Sequence, residues 1–330
     1  MTLGSALTPN LLLTPTQLST HLACAHYTQL ERKRRAGELE IEFMPDLRLE
    51  AMRSRGEQHE RAYIERLRLA GSSIVDLGES RDPHATLAAM REGAQVIVQA
   101  PLGNEHLFGI ADVLLRVGES YEPVDTKLAR ETRAGTILQL CTYCEMLAAM
   151  QGELPSRFHV VTPEKEETYR TADFAAYFRL IRSRFMTAVA PAKAGAPFPI
   201  TYPDPVPHCD ICSYWLHCDS QRRRDDHPSL IADIRTAHTR EFQRQGIPTL
   251  AAIAACEGKL PAEPARGNRA TYARLGHQAR LQLQARSLPL PPVDALPIEP
   301  RRGLERLPEP SPGDLYLDFE GDPFAGEHGL

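Results

Sequence analysis

A few short motifs hold most of the side chains able to do chemistry. Tyr121-Glu122-Pro123-Val124-Asp125-Thr126-Lys127 reads as a strand. Side chains alternate along a strand, so Asp125 and Lys127 project from one face while Thr126 points away. Alone, a carboxylate beside an ammonium is an ion pair. Asp112, the charge in the run Gly109-Ile110-Ala111-Asp112, changes that reading. A lone carboxylate on a core strand is costly unless it is paired or bound to a cation. If the two strands are neighbours, Asp112 and Asp125 can share a hard divalent ion, which prefers oxygen ligands. His59, on an upstream helix, could supply a further ligand, or could be a satisfied histidine on a packing face. Gln139 and Tyr143 stand one helical turn apart, suited to touching a substrate or Lys127, or simply two polar residues of an amphipathic helix.

Cysteines make a second constellation. There are seven, unevenly placed, and Cys209-Asp-Ile-Cys212 followed by Cys218 gives a C-x2-C-x5-C run among turn formers. Three thiolates need a fourth ligand for a tetrahedral site or a cubane cluster. Cys24 is the candidate; a zinc site could instead recruit His208 or His217, and incidental buried cysteines are the third reading. Cys141 and Cys144 lie in an apolar helix and are assigned to the core. Clustered cysteines in a chain that reads as cytosolic favour metal ligation over disulfides. Met1 to Leu13 holds no Lys or Arg, so no secretory signal is expected there. No run approaches the ~18 apolar residues of a membrane span. The expected compartment is the cytoplasm, with no membrane partner.

The elements that must position these groups follow from the rest of the chain. Its 330 residues are about two average domains. Apolar residues at 42% and charged residues at 25% exclude wholesale disorder. A net charge of −5 removes a bulk electrostatic case for nucleic acid but leaves room for a local basic groove. Thr14-Pro15-Thr16-Gln17 predicts a capped helix start, running to the basic cluster Arg32–Arg35 and stopping at Gly37. A second helix is predicted from Leu47 to Ala70, with Leu49, Met52, Gly56, His59, Tyr63 and Leu67 on one face. Strands follow at Ser73–Leu77, Gln95–Ala100, His106–Val117 and Tyr121–Lys127, the middle pair joined at Gly103-Asn104. Then come a helix at Thr136–Met150, a strand at Phe158–Val161 and a helix at Ala172–Val189. This order implies an α/β fold, a mixed central sheet flanked by helices.

The ordered set His59, Gly109-x-x-Asp112, Asp125-x-Lys127 and Gln139-x-x-x-Tyr143 resembles the PD-(D/E)XK nuclease superfamily, with its restriction-endonuclease-like core. Within it the set is similar to the RecB-like branch, which includes CRISPR-associated exonucleases and the AddB nuclease domain. The resemblance implies Mg2+ or Mn2+ held by His59, Asp112, Asp125 and the carbonyl of Thr126. It implies that Lys127 orients or helps deprotonate an attacking water, with Gln139 and Tyr143 nearby. A distant N-terminal cysteine plus a C-terminal triplet resembles the iron–sulfur staple of that branch. It implies a [4Fe-4S] cluster on Cys24, Cys209, Cys212 and Cys218, with zinc as the alternative.

The remaining pieces complete the expected organisation. Thr239-Arg240-Glu241 leading into Gln245-Gly246-Ile247-Pro248-Thr249-Leu250 resembles a helix–hairpin–helix unit, with Gly246 at the turn; structural packing is the other reading. Such turns offer backbone amides to DNA phosphates without reading sequence. Arg222 and Arg223 could track a strand backbone. Leu315 to Pro323 puts Asp318 and Glu320 on one strand face and resembles the opening motif of ribonuclease H-like exonucleases; no catalysis is expected of it alone. The whole order resembles a bacterial family of stand-alone RecB-like nucleases whose longer members carry a C-terminal ribonuclease H-like domain. The expected domains are therefore a nuclease domain with its cysteine cluster at 1–225, the helical hairpin at 226–260, a proline-rich linker with one helix at 261–313, and a truncated ribonuclease H-like start at 314–330. The expected activity is metal-dependent hydrolysis of DNA, on single-stranded or frayed ends, in repair, recombination or defence. The alternative is a non-catalytic nucleic-acid-binding module, or a subunit needing a helicase or ribonuclease H-like partner in trans.

Overall fold

Thr14 opens the first helix as its capping box predicts. Its hydroxyl accepts the Gln17 N–H at 3.3 Å, and the Gln17 side chain accepts the Thr14 N–H at 3.0 Å. The computed structural model describes residues 13–41, 47–78, 80–104, 106–189, 198–256, 264–265 and 267–321. Where one helix was expected to reach the basic cluster there are two, α1 (Pro15–Ala23) and α2 (Ala25–Arg35). Cys24 separates them in an extended conformation and caps α2, its sulfur accepting the Tyr27 N–H at 3.4 Å.

Helix α3 (Leu47–Leu69) leads into β1 (Ile74–Asp76). A helix absent from the sequence reading, α4 (Pro83–Arg91), follows; Asp82 caps it and Pro83 takes its first turn, where a missing N–H costs nothing. Next come β2 (Val96–Gly103), β3 (Phe108–Val117), β4 (Ser120–Thr126), α5 (Ala134–Gln151), β5 (Arg157–Val161), β6 (Glu166–Arg170) and α6 (Thr171–Val189). Strand β6 was also unforeseen, because both of its faces carry charged residues and neither carries an aliphatic side chain.

The six strands lie in chain order across a mixed α/β sheet. Strands β2 to β4 are antiparallel neighbours, as are β5 and β6, whereas β1–β2 and β4–β5 are parallel. One face is covered by α5, whose Leu138, Leu140, Met146 and Leu147 are fully buried with Ile97, Leu114 and Phe158. The other face packs Val96, Val98, Val113, Val124 and Val161 against Tyr63 of α3.

The chain divides into two compact units, one of residues 1–202 and 206–215, the other of 203–205 and 216–330. Past a short 3-10 turn at Pro207–Ile211, the cysteine segment enters α7 (Trp215–Arg224), a helix where only a loop was expected. The second unit packs α8 (Thr236–Arg244), α9 (Leu250–Ala254) and α10 (Arg269–Ala285) around Ile231, Phe242, Leu250, Ile253, Tyr272 and Leu275. The strand expected from Asp314 makes no ladder: residues 314–321 are exposed, Leu315, Tyr316, Leu317 and Phe319 included, since a lone strand has no partner for its amides. The rest of that motif, Asp322 and Pro323, lies outside the described residues, as does Pro261 of the expected linker. Among the described residues no helix is long and apolar enough to cross a membrane.

Candidate active site

Strands β3 and β4 part at the two carboxylates. Their ladder ends at the Val113–Val124 pair, and one step further the Thr126 N–H turns to the Asp112 carboxylate at 3.3 Å. A side chain thus replaces the ladder bond, which brings Asp112 and Asp125 together at the opening. Asp125 is 1% exposed. Lys127 donates from Nζ to its Oδ1 at 2.8 Å and lies 2.7 Å from Oδ2, which receives no well-directed hydrogen bond. Burial pushes the Asp125 carboxyl up to about 7; the charge of Asp112 adds to this, and Lys127 opposes it. For Lys127, burial works against the ammonium, but Asp125 and Asp112 together raise its pKa. As expected, Asp125 and Lys127 share a face.

A residue the sequence reading passed over faces the same ammonium. Glu60 neighbours His59 on α3, and burial followed by the charge of Asp112 pushes its carboxyl up. Gln99 of β2 donates its side-chain amide to Glu60 at 2.6 Å. Gln99 has φ +50°, a left-handed backbone in the middle of a strand. Strict alternation would keep Val96, Val98, Ala100 and Leu102 on one face. Instead the two valines pack toward α3, whereas Ala100 and Leu102 pack toward α5. The strand turns over at Gln99. In β3, Ala111 and Val113 split between the same two clusters, with Asp112 between them. A signal for Glu60 existed: a carboxylate adjacent to a candidate ligand on a helix.

His59 is half-buried, its Nε2 3.1 Å from the Val161 carbonyl of β5, in the register position of Thr126. It therefore joins this corner from the strand side. Tyr143 donates its hydroxyl to the Ile110 carbonyl at 2.6 Å and receives the Gln139 amide at 3.4 Å. Burial first, then the charges of Asp112 and Asp125, raise its pKa. Tyr143 accordingly buttresses β3 two residues from Asp112. Gly109 makes room for it: a Cβ there would lie 2.8 Å from Pro15 Cδ and 3.0 Å from Tyr143 Cε1.

Three carboxylates, Glu60, Asp112 and Asp125, thus surround one ammonium, and the buried Oδ2 of Asp125 has only that ammonium beside it, poorly directed. That oxygen-rich, negatively overloaded set fits a hard divalent cation. As the side chains stand, no three His, Cys, Asp or Glu groups among the described residues are arranged to hold a metal ion.

In the cysteine segment, burial pushes the Cys212 thiol up, and the sulfurs of Cys24 and Cys209 add to it, so the three are neighbours. The Cys209 sulfur accepts the Val206 N–H at 3.5 Å. Tyr214 ties this loop to α2, donating its hydroxyl to Glu31 at 2.6 Å. Cys218 lies buried on α7, in the second unit. Cys141 and Cys144 are buried in α5, and burial pushes both thiols up.

Two expected DNA contacts are engaged internally. Arg222 is buried and donates to the Pro203 carbonyl at 3.0 Å, which removes it from contact with a strand. Arg223 is exposed but paired with Asp219 at 2.6 Å. Gly246 adopts φ +76°, as a helix stop requires, yet the turn's amides are occupied. Those of Gly246 and Ile247 bond back to α8, and those of Leu250 and Ala251 bond to the Asp226 carbonyl and carboxylate.

A family model described as the PD-(D/E)XK nuclease superfamily matches residues 15–219. No curated protein matches the chain. A solved structure described as "Crystal structure of SSO0001" is 14% identical and covers 60% of this chain and 97% of that one, with a TM-score of 0.23.

Proposed function

Because the chain belongs to the PD-(D/E)XK nuclease superfamily, whose members are nucleases, we propose that it hydrolyses phosphodiester bonds in DNA at the Asp112–Asp125–Lys127 corner. The observation that carries this is the buried Asp125 carboxylate, crowded by Asp112 and opposed by a single ammonium that Glu60 also faces. Asp112, Asp125, the Thr126 carbonyl and His59 would hold Mg2+ or Mn2+, with Glu60 beside them. Such an ion supplies Lewis acidity and a water of lowered pKa. Lys127, kept as an ammonium by Asp125 and Asp112, would orient the attacking water and stabilise the hydroxide it becomes. Tyr143 and Gln139 fix the strand that carries Asp112.

The finer reading is a RecB-like enzyme acting as an exonuclease on single-stranded or frayed ends, in repair, recombination or defence. It rests on the order His59, Asp112, Asp125-x-Lys127, Gln139-x-x-x-Tyr143. Cys24, Cys209, Cys212 and Cys218 would carry a [4Fe-4S] cluster, zinc being the rival; the grouping of Cys24, Cys209 and Cys212 supports a thiolate site. Residues 226–260 are read as a helical hairpin against which α10 of the expected linker packs, and 314–330 as the start of a ribonuclease H-like domain, with a helicase or such a domain as partner.

The test is cleavage of end-labelled DNA with Mg2+ or Mn2+ by the wild type, Asp112→Ala and Lys127→Ala. Loss of cutting in both variants is expected. Equal cutting by all three, or none by the metal-loaded wild type, overturns the assignment.

A further inference from the structure

Residues 228–286 carry nine Lys and Arg against four Asp and Glu, in a chain whose net charge is −5. Part of that charge converges. Arg235, at the cap of α8, and Arg274, on the second turn of α10, line a cavity of about 640 Å³ with His238, Thr271, Ile234 and Asp233. Neither guanidinium has an ion-pair partner among the described residues. Two other arginines of the unit are paired, Arg244 with Glu241 at 2.6 Å and Arg286 with Asp226 at 2.5 Å.

His238 lines the same cavity as the two cations. Its Nδ1 accepts the Arg235 N–H at 3.2 Å, and its ring sits edge-on to Tyr272 with centroids 5.4 Å apart. Burial lowers its pKa, and Arg235 and Arg274 lower it further, so all three basic groups are close. With Nδ1 accepting, the neutral ring carries its proton on Nε2 as a donor. Thr271 lines the cleft with its hydroxyl already donated to Asn268 at 3.1 Å, and Asp233 is the one acid on the rim. Two unpaired guanidinium forks and a ring N–H match the oxygens of a phosphate. The hairpin turn at Gly246 lies roughly 13 Å away, at the other end of α8 at ~1.5 Å per residue. Its occupied amides leave phosphate binding to this end.

We propose that the cleft between α8 and α10 binds a backbone phosphate of a nucleic-acid strand, through Arg235 and Arg274. This rests on the nuclease reading for the choice of nucleic acid as ligand, and it names the part of the second unit that touches it.

The experiment measures binding of a fluorescent single-stranded oligonucleotide to the full chain, without divalent metal, across a salt series. Arg235→Gln/Arg274→Gln is compared with Arg179→Gln/Arg184→Gln, which removes two exposed charges elsewhere. The cleft variant should bind about 10-fold more weakly, with a salt slope shallower by ~0.7 for each phosphate it no longer neutralises. Its melting temperature should be unchanged, and Arg235→Lys/Arg274→Lys should recover the slope but only part of the affinity. Unchanged affinity and slope, or an equal weakening in the Arg179/Arg184 control, overturns the proposal. Cleavage in Mg2+ is read separately. If Asp112→Ala cuts like the wild type the nuclease assignment falls, and the cleft is still judged by the salt series.

Discussion

Gln99 holds Glu60 from a left-handed backbone, donating its side-chain amide at 2.6 Å while its own φ is +50°. A cost and a gain can be separated at this position. A non-glycine residue there bears about 1–2 kcal/mol of strain, and a hydrogen bond to a charged group returns a similar amount. Gln99→Ala keeps the strain and loses the bond. Gln99→Gly loses both. The glycine variant should therefore be more stable than the alanine one by about 1 kcal/mol in urea denaturation. Equal midpoints would show that the backbone there is relaxed.

Asp125 gives the apo protein a pH signature. Its carboxyl is raised from 3.8 to about 7, so the folded state holds a proton that the unfolded state has released between those values. Its contribution is present below about pH 4 and lost as pH rises through 7. Asp125→Asn should match the wild type below about pH 4 and melt progressively higher than it from there to pH 8, by up to a few kcal/mol. Mg2+ should raise the wild-type melting temperature at pH 8 and leave Asp125→Asn unmoved. A variant that melts lower than the wild type at pH 8 contradicts the raised carboxyl.

Gly109 is required by close approach. The neighbouring atoms belong to Pro15 and Tyr143, both ring systems that cannot fold away. Gly109→Ala should cost about 1–3 kcal/mol and weaken metal binding as Tyr143 and Ile110 shift beneath Asp112. Thermal melts and Mn2+ titration check both. Full stability in the alanine variant would mean that α1 moves aside.

Cys24 has two separable tasks. As the cap of α2 its sulfur accepts an amide, a role serine fills better. As a metal ligand serine cannot replace it. Cys24→Ser should keep the stability of α2 in the metal-free protein, and Cys24→Ala should lose about 1 kcal/mol. Both should lose iron or zinc equally, by metal analysis after anaerobic purification. Metal retained in the serine variant removes Cys24 from the ligand set.

Glu31 links α2 to the cysteine loop. Burial acts to raise its carboxyl, but hydrogen bonds from Arg34, Tyr214 and Arg35 outweigh it and hold it at about 2. The resulting stability is present above its ordinary value near 4.5 and lost as pH falls toward 2. Glu31→Gln should flatten the acid limb of the melting profile between those values; an unchanged limb would place the acid sensitivity elsewhere.

The acidic corner around Lys127 was legible because its residues sit on strands and helices with strong periodicity. Alternation placed Asp125 and Lys127 on one face and one helix face held His59, whereas the adjacency of the Asp112 strand was a condition that the β3–β4 ladder meets. Glu60 was missed because alternation cannot show which neighbour of a helical residue turns inward. Gln99 was missed because its left-handed backbone breaks the very pattern used to read strands. The break at Cys24 was hidden by a helical face continuing on both sides. Gly246 marked a turn correctly, but sequence cannot reveal whether that turn's amides are already engaged. Asp226 engages two of them from outside the motif.

Strand order follows chain order across the whole sheet, so every strand pairs with the one made just before it. Such a topology needs few distant searches, and assembly should zip outward from the β2–β3 hairpin on a fast timescale. A long closure within the sheet domain is left to the beginning of the chain, where Leu13 bridges to Leu107 and α1 lies along α5. Pulse-labelled hydrogen exchange should find the amides of α1 protected last. The segment buttressing Gly109 and Tyr143 would then be the final piece to lock, making competence for chemistry a late event in folding.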